Sequence, residues 1–381
     1  MEKQMHIAML IGALTKGGAE RVLVNLADYF VEKGYRVTMV TQYERENEYP
    51  LNRKVNRIIS DITEEETGKS RLLNFGRRFL KLRKIWKKER PDVILSFIGK
   101  NNMMAILTSR FLNIPVAVSV RAEPSEEYYT PLLKWMARHL FARADGVILQ
   151  TRRCFDFFPA KVRKKAVILK NPINQSFFRE RYEGERDKTI VAVGRVDANK
   201  NHEMLIRAFA QIAEEFPAYR LIIYGEGELR PCLLDLIKEL NLTDRILMPG
   251  SIDNVADVIY KSAIFVLPSN TEGTPNTLIE AMIMGLCVVA TDCPCGGPAD
   301  LIENGYNGIL TPVMNEKKMK ENLQILLNDL QKMEELGKNA AKTADIFRPE
   351  IVYGEWEKFL RSLTCEKDKR YGTGGRSPCA E

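Results

Sequence analysis

The sequence predicts an α/β protein built from two doubly wound, parallel-sheet domains. Three observations predict it. The chain has 381 residues, more than one ordinary hydrophobic core holds. Short apolar runs alternate with helical patterns, and the alternation passes through the chain twice. Between the two series, "KNPINQSFF" and the charged "RERYEGERDK" (170–188) interrupt the pattern and read as a linker.

In the first series strands are expected at His6–Ala13, Arg36–Thr41, Asp92–Ile98, Pro115–Val120, Gly146–Gln150 and Ala166–Lys170. Helical patterns fill the gaps near 19–33, 71–90, 100–112 and 131–143. Apolar runs without strict alternation suit strands buried on both faces of a parallel sheet. The second series places strands at Thr189–Gly194, Arg220–Gly225, Ile246–Pro249, Ala263–Leu267 and Leu286–Ala290. Its helices fall near 201–216, 229–240, 254–261, 275–284 and 316–345, and a final helix is expected over 347–360. The last residues, 365–381, hold few apolar groups and are expected to be disordered. The resulting division is 1–170, 171–345, a terminal helix at 346–364 and the tail.

The composition, 45% hydrophobic and 28% charged, is that of a soluble globular chain. No uncharged apolar run reaches the ~18 residues a spanning helix needs. The apolar stretch near the start lacks a signal-peptide cleavage pattern and reads as a buried strand. Seven cysteines form no zinc spacing, which points to a reducing, cytoplasmic compartment. Residues 1–170 carry 32 Lys and Arg against 18 Asp and Glu, a net +14, whereas 171–381 carry 25 against 32, a net −7. The basic half points to an anionic partner.

Four stretches carry chemistry at places where a strand hands over to a helix. "LIGALTKGGAERVLVNLA" (10–27) sets Gly17 and Gly18 before a helix whose amides suit an anion. It is neither a Walker A loop nor G-x-G-x-x-G, and a plain strand–helix turn explains it equally. "VGRVDANKNHEMLIRAF" (193–209) places Arg195 and Lys200 five apart, where they can clamp two phosphates or stand as solvated loop charges. "IIYGEGELRP" (222–231) supplies G-x-G without the third glycine, so close helix–strand packing is its expected role.

"LPSNTEGTPNTLIEAMIMG" (267–285) is the strongest element. Thr274 reads as an N-cap, Pro275 as the first helical residue and Gly285 as the stop. Glu272 then lies on the loop and Glu280 inside the helix. Carboxylates accept hydrogen bonds from hydroxyl pairs, so both suit a sugar, and loop amides near Gly273–Thr277 would face a phosphate. An ordinary helix-surface role for Glu280 remains the alternative. "DCPCGGPADLIENGYNGIL" (292–310) repeats the glycine–proline opening of a helix.

Taken together, "GGAERV" (17–22), "GRVDANKNH" (194–202), the E-x7-E of Glu272 and Glu280, and "GGPADLIENGYNG" (296–308) resemble the family-4 retaining glycosyltransferases of the GT-B fold. The resemblance covers about residues 5–360. It implies two facing Rossmann-like domains with a cleft between them and a C-terminal helix returning to the first domain. It implies transfer of a sugar from a nucleotide-sugar, UDP-linked above all, to a lipid-linked or glycan acceptor of bacterial surface polysaccharide, with retention. Arg195 and Lys200 would hold the donor diphosphate, Glu280 the ribose, and Glu272 the donor sugar. Gly273, Thr274, Asn276 and Thr277 would line the donor, and Gly17 and Gly18 would let phosphates and acceptor approach. The sequence departs from the family where many members place a histidine. Arg121 in "AVSVRAEPSEEYY" (117–129) stands there, assigned to the acceptor side because an arginine is no base near neutral pH. His139 sits in a helical pattern and reads as structural.

"KSRLLNFGRRFLKLRKIWKKER" (69–90) holds ten Lys and Arg and one Glu. Leu72, Phe75, Phe79, Leu82 and Trp86 recur at helical spacing and read as a core stripe, leaving a basic face for an anionic membrane. The expected location is the inner face of the cell membrane. No D-x-D occurs, so no metal or other cofactor is expected. A nucleotide-sugar 2-epimerase is the alternative activity. The chain lacks nucleic-acid-binding patterns and the glycine fingerprint of a NAD-dependent dehydrogenase.

Overall fold

The computed structural model describes residues 4–63 and 70–371, with the backbone alone for 366–371. The chain forms two compact units, one running to Pro172 and resuming at Pro349, the other Ile173–Arg348.

In the first unit the strands are β1 (His6–Ile11), β2 (Arg36–Thr41), β3 (Asn56–Ile59), β4 (Val93–Phe97), β5 (Val116–Ser119), β6 (Gly146–Leu149) and β7 (Ala166–Ile168). All pair in parallel, in the order β3-β2-β1-β4-β5-β6-β7. The helices are α1 (Gly18–Glu32), α2 (Arg71–Glu89), α3 (Gly99–Ser109), α4 (Pro124–Glu127), α5 (Pro131–Leu140), α6 (Cys154–Phe157) and α7 (Ala160–Arg163). β1, β4, β5 and β6 are buried throughout, as their unbroken apolar runs require. The sequence reading missed β3, a four-residue edge strand without an apolar run.

The second unit carries β8 (Asp187–Val193), β9 (Arg220–Tyr224), β10 (Ile246–Gly250), β11 (Ser262–Leu267), β12 (Cys287–Asp292) and β13 (Ile309–Pro312). Their order is β10-β9-β8-β11-β12-β13, again all parallel. Its helices are α8 (His202–Ala210), α9 (Arg230–Glu239), α10 (Val255–Ile259), α11 (Asn276–Ile283), α12 (Gly297–Leu301), α13 (Glu316–Asn328), α14 (Leu330–Ala341) and α15 (Thr343–Ile346). β13, another short edge strand, was missed, and the single helix expected over 316–345 is broken at Asp329, whose side chain caps α14 through Lys332 N.

The last helix, α16 (Pro349–Tyr371), packs back on the first unit. Trp356 is fully buried and donates its Nε1–H to Lys170 O at 2.8 Å. Tyr353 stacks on Tyr29, and Glu357 accepts from the hydroxyls of Tyr29 and Tyr35. Gly146 lies under Phe359, where a Cβ would come within 2.5 Å of the ring. The helix runs past residue 364, and the end of the expected tail, 372–381, lies outside the described residues. Among the described residues no helix is long and apolar enough to cross a membrane. Cys365 is disulfide-bonded, unlike the free Cys154, Cys232, Cys287, Cys293 and Cys295.

The core stripe expected on α2 is half right. Leu82 and Trp86 are buried, and Trp86 donates to Thr108 Oγ1. Leu72 is 83% exposed and Phe75 51%, with Leu73 and Leu80 also exposed. Length explains this: α2 has 19 residues, about 28 Å, and packs on α3, whose 11 residues span about 16 Å. The basic face is also partly engaged, since Arg78 pairs with Asp61 and Arg83 donates to the carbonyls of Thr108 and Arg110. Lys69 lies outside the described residues.

Candidate active site

Strand order in both sheets reverses beside the first strand, between β1 and β4 and between β8 and β11. In doubly wound sheets ligands bind beyond the strand carboxyl ends at such switch points.

In the second unit the loops leaving β8 and β11 flank the switch point and are stitched together. Asn199 accepts from Thr271 N and Oγ1 and donates to Thr271 O. Asn270 N donates to Asn199 O, and the Asn270 side chain donates to Ala198 O and accepts from Asn201 Nδ2. This lattice brings Lys200 Nζ to 2.5 Å from Glu272 Oε1, which also accepts from Ser269 Oγ at 2.7 Å. Lys200 N is held by Asp197 Oδ1. The two residues assigned from sequence to different parts of a donor are therefore direct partners. Arg195 is on the same loop, but its side chain is 70% exposed, and among the described residues it pairs only with Asp197, at 3.3 Å. Spacing alone did not show that the asparagines set this geometry.

Glycines shape the rest. A Cβ on Gly225 would lie 1.8 Å from Gly194 O, and one on Gly227 2.2 Å from Val196 O. Both glycines therefore press on the backbone either side of Arg195, and Val196 N and O bond to Glu226 O and Leu229 N. The G-x-G pair supports the candidate phosphate loop. Gly225→Ala, with φ +152 as well as the clash, is expected to cost about 3 kcal/mol of stability. An unchanged urea midpoint would refute the close-approach reading. On the other side, a Cβ on Gly297 would lie 1.5 Å from Gly273 O, so the loop opening α12 backs the glutamate loop.

The start of α11 differs by one residue from expectation. Pro275 is the N-cap, without a side-chain cap bond, and Asn276 is the first helical residue, so Thr274 lies outside the helix. Pro275 has no N–H, and its carbonyl opens the ladder by accepting from Ile279 N. Asn276 is buried, while Thr274 and Thr277 are half-buried. Glu280 is 1% exposed, which removes the helix-surface alternative. Its neighbours Leu278, Ile279, Ala281 and Met282 are fully buried.

In the first unit the corresponding edge holds a second polar cluster. Arg121 follows β5 and is buried against Phe97, its guanidinium 4.6 Å from the ring centre. Nη2 donates to Asn171 Oδ1 at 2.6 Å, while Nε and Nη1 are buried and have no hydrogen-bond partner among the described residues. Burial lowers its pKa to about 9, opposed by the charges of Glu127 and Glu20, so it is charged at neutral pH. Glu127, which the sequence reading did not single out, is a buried staple. It accepts from Gly99 N, Arg121 N, Ala122 N and Tyr128 OH. Burial raises its pKa against those hydrogen bonds. Ile98, next to Gly99, has φ +71, a conformation that a β-branched residue adopts only under constraint.

Gly17 is the N-cap of α1 and Gly18 its first residue, as a helix-opening glycine pair requires. A Cβ on Gly17 would lie 2.3 Å from Glu20 Oε2. A carboxylate therefore already faces this helix N-terminus, which favours hydroxyl groups there over a phosphate. Among the described residues no group of three or more His, Cys, Asp or Glu could hold a metal ion.

Residues 16–177 match the family Glycosyltransferase Family 4, and residues 174–343 match Glycosyl transferases group 1. A Campylobacter jejuni GalNAc-alpha-(1->4)-GalNAc-alpha-(1->3)-diNAcBac-PP-undecaprenol alpha-1,4-N-acetyl-D-galactosaminyltransferase is 27% identical, over 94% of this chain and 99% of that one. An N-acetylgalactosamine-N,N'-diacetylbacillosaminyl-diphospho-undecaprenol 4-alpha-N-acetylgalactosaminyltransferase of the same organism is 29% identical, over 88% and 94%. The crystal structure of Anabaena HepE in complex with UDP superposes with a TM-score of 0.78 at 19% identity, covering 94% of this chain and all of that one. Sucrose-phosphate synthase from Thermosynechococcus elongatus gives 0.80, also at 19% identity, covering 94% and 99%. The chain therefore carries two glycosyltransferase domains in tandem, family 4 then group 1, on the GT-B fold.

Proposed function

We propose that this protein transfers a hexose-type sugar from a UDP-sugar to a lipid-linked glycan, with retention of anomeric configuration and without a metal at the donor diphosphate. The observation that carries the reading is the Lys200–Glu272 pair beside the α11 N-terminus, at the switch point of the second sheet. Lys200 has three N–H donors and spends one on Glu272, which leaves two for phosphate oxygens. Arg195, exposed on the same loop, adds a second cation, and the amides opening α11 add a positive dipole end. Together they stabilise the negative charge that develops on the leaving diphosphate. Glu272 accepts from hydroxyls of the transferred sugar and Glu280 from the ribose, with Gly273, Thr274, Asn276 and Thr277 along the donor.

On the acceptor side, Arg121 offers Nε–H and Nη1–H to oxygens of the incoming glycan or reacting sugar. Gly17 and Gly18 leave room for it. The acceptor hydroxyl attacks on the face the nucleotide leaves, and the departing phosphate takes its proton, so no side-chain nucleophile is needed. The names of the Campylobacter relatives, which act on undecaprenyl-diphosphate glycans, and the UDP bound to HepE support these choices. Location at the inner face of the membrane follows from such an acceptor.

The test is mass spectrometry and NMR of reactions with UDP-, GDP- and dTDP-sugars plus lipid-linked acceptors. A new α-glycoside from an α-linked UDP-sugar is expected. An inverted product refutes retention, and turnover of donor without acceptor favours the epimerase. EDTA is expected to leave the rate within about twofold, since cations of the chain replace a metal at the diphosphate. A strict divalent-ion requirement would refute that part.

A further inference from the structure

The second site on the first unit is a surface groove of about 780 Å³ between α5, the turn Phe141–Arg143 and α7. Lys134, Arg138, Arg143 and Lys161 line it, and no acidic residue does. Among the described residues these four cations make no ion pair, so the groove carries uncompensated positive charge. One wall is Trp135, stacked on His139 with ring centres 4.6 Å apart and 59% exposed. His139 Nδ1 lies 2.7 Å from Trp135 O, which fixes the imidazole against the indole. His139 thus braces an exposed tryptophan, which gives its expected structural role a specific form.

The surroundings say what fits. Leu132 on the first turn of α5 and Tyr129 just before it are exposed. The first turns of α2 expose Leu72, Leu73 and Phe75. Both helices pack on α3, and each follows a strand of one parallel sheet, so their first turns share its strand-carboxyl edge. A nucleotide or an acidic sugar would meet the charges but leave these apolar side chains in water. A bilayer interface satisfies both: headgroup phosphates meet the Lys and Arg, while Trp and Leu enter the acyl boundary.

We propose that this groove and its apolar rim are a docking site for anionic phospholipid headgroups. It rests on the reading above only in placing the protein at a membrane. Lipid contact is measured without substrate, so it fails or stands separately from sugar transfer.

Tryptophan emission reads the contact directly. Trp86 and Trp356 are fully buried, which leaves Trp135 as the tryptophan that senses solvent. The full chain is titrated with phosphatidylglycerol–phosphatidylethanolamine vesicles, with phosphatidylcholine vesicles, and with soluble glycerol phosphate. A blue shift quenched by brominated acyl chains is expected with the anionic vesicles alone, reversed by high salt. Trp135→Phe should abolish the shift, and Lys134→Glu/Arg138→Glu/Lys161→Glu should lower vesicle partitioning about tenfold or more. Flotation with unchanged emission would overturn the proposal by placing the contact elsewhere, on α2 for example. A shift with glycerol phosphate but not vesicles, or no vesicle binding at low salt, would equally overturn it. The wild-type measurements decide the matter even where the triple variant fails to fold.

Discussion

Lys200→Met should lower kcat/KM for the nucleotide-sugar by about 10³-fold. The substitution keeps the aliphatic stem that packs under Gly194, where a glycine Cβ would lie 3.2 Å from Lys200 Cε. It removes the charge at the point where the β8 and β11 loops meet. Lys200→Arg should recover only part of the loss, because a planar fork replaces a compact ammonium held 2.5 Å from Glu272. The same pair separates two tasks. If Lys200 holds the diphosphate and Glu272 the sugar, Lys200→Met weakens binding of UDP itself. Glu272→Gln then leaves UDP binding within about threefold and affects the UDP-sugar instead, since the amide keeps one acceptor oxygen. Calorimetry with UDP and with the intact donor reads both. UDP affinity unchanged by Lys200→Met would remove lysine from the phosphate role.

Arg121→Met should lower turnover by about 10²- to 10³-fold while leaving stability within about 1 kcal/mol of wild type. A purely structural arginine predicts the reverse. The guanidinium is buried, and two of its N–H groups have no hydrogen-bond partner among the described residues, so the fold gains little from the charge. Its removal strands no acceptor. Glu127 keeps three backbone amides and the Tyr128 hydroxyl, and Asn171 Oδ1 keeps Gln150 Nε2. A methionine fills similar volume against Phe97. Thermal unfolding and steady-state kinetics on one preparation make the comparison. A variant that is destabilised but turns over normally when folded would show that Arg121 serves packing.

The two-domain architecture was legible because parallel strands buried on both faces leave unbroken apolar runs. β1, β4, β5, β6, β11 and β12 appear in the sequence as such runs, within a residue or two of their observed ends. β3 and β13 were not legible, because a four-residue edge strand half open to solvent has no such run. The stripe on α2 misled for a different reason. Periodicity shows that a helix has an apolar face, but only the shorter α3 beneath it decides how much of that face is covered.

The candidate site divides in the same way. Residue type and position after a strand singled out Lys200 and Glu272, since charge in a strand-end loop is visible in one dimension; the E-x7-E spacing added Glu280, and the family resemblance added Arg121. Their partners were not visible. Lys200 and Glu272 are 72 positions apart, and Asn199, Asn201 and Asn270 that hold them together look like ordinary loop residues. Glu127 was not singled out because burial is a property of the packed chain. Thus the sequence by itself determined the fold class, the two sheets and the loops that carry charge. Only the tertiary structure decided which charges are paired, which are buried and which apolar side chains stay in water. The reason is physical: strand and helix patterns are local, whereas ion pairing and desolvation depend on distances that exist only after the β8 and β11 loops meet at the switch point.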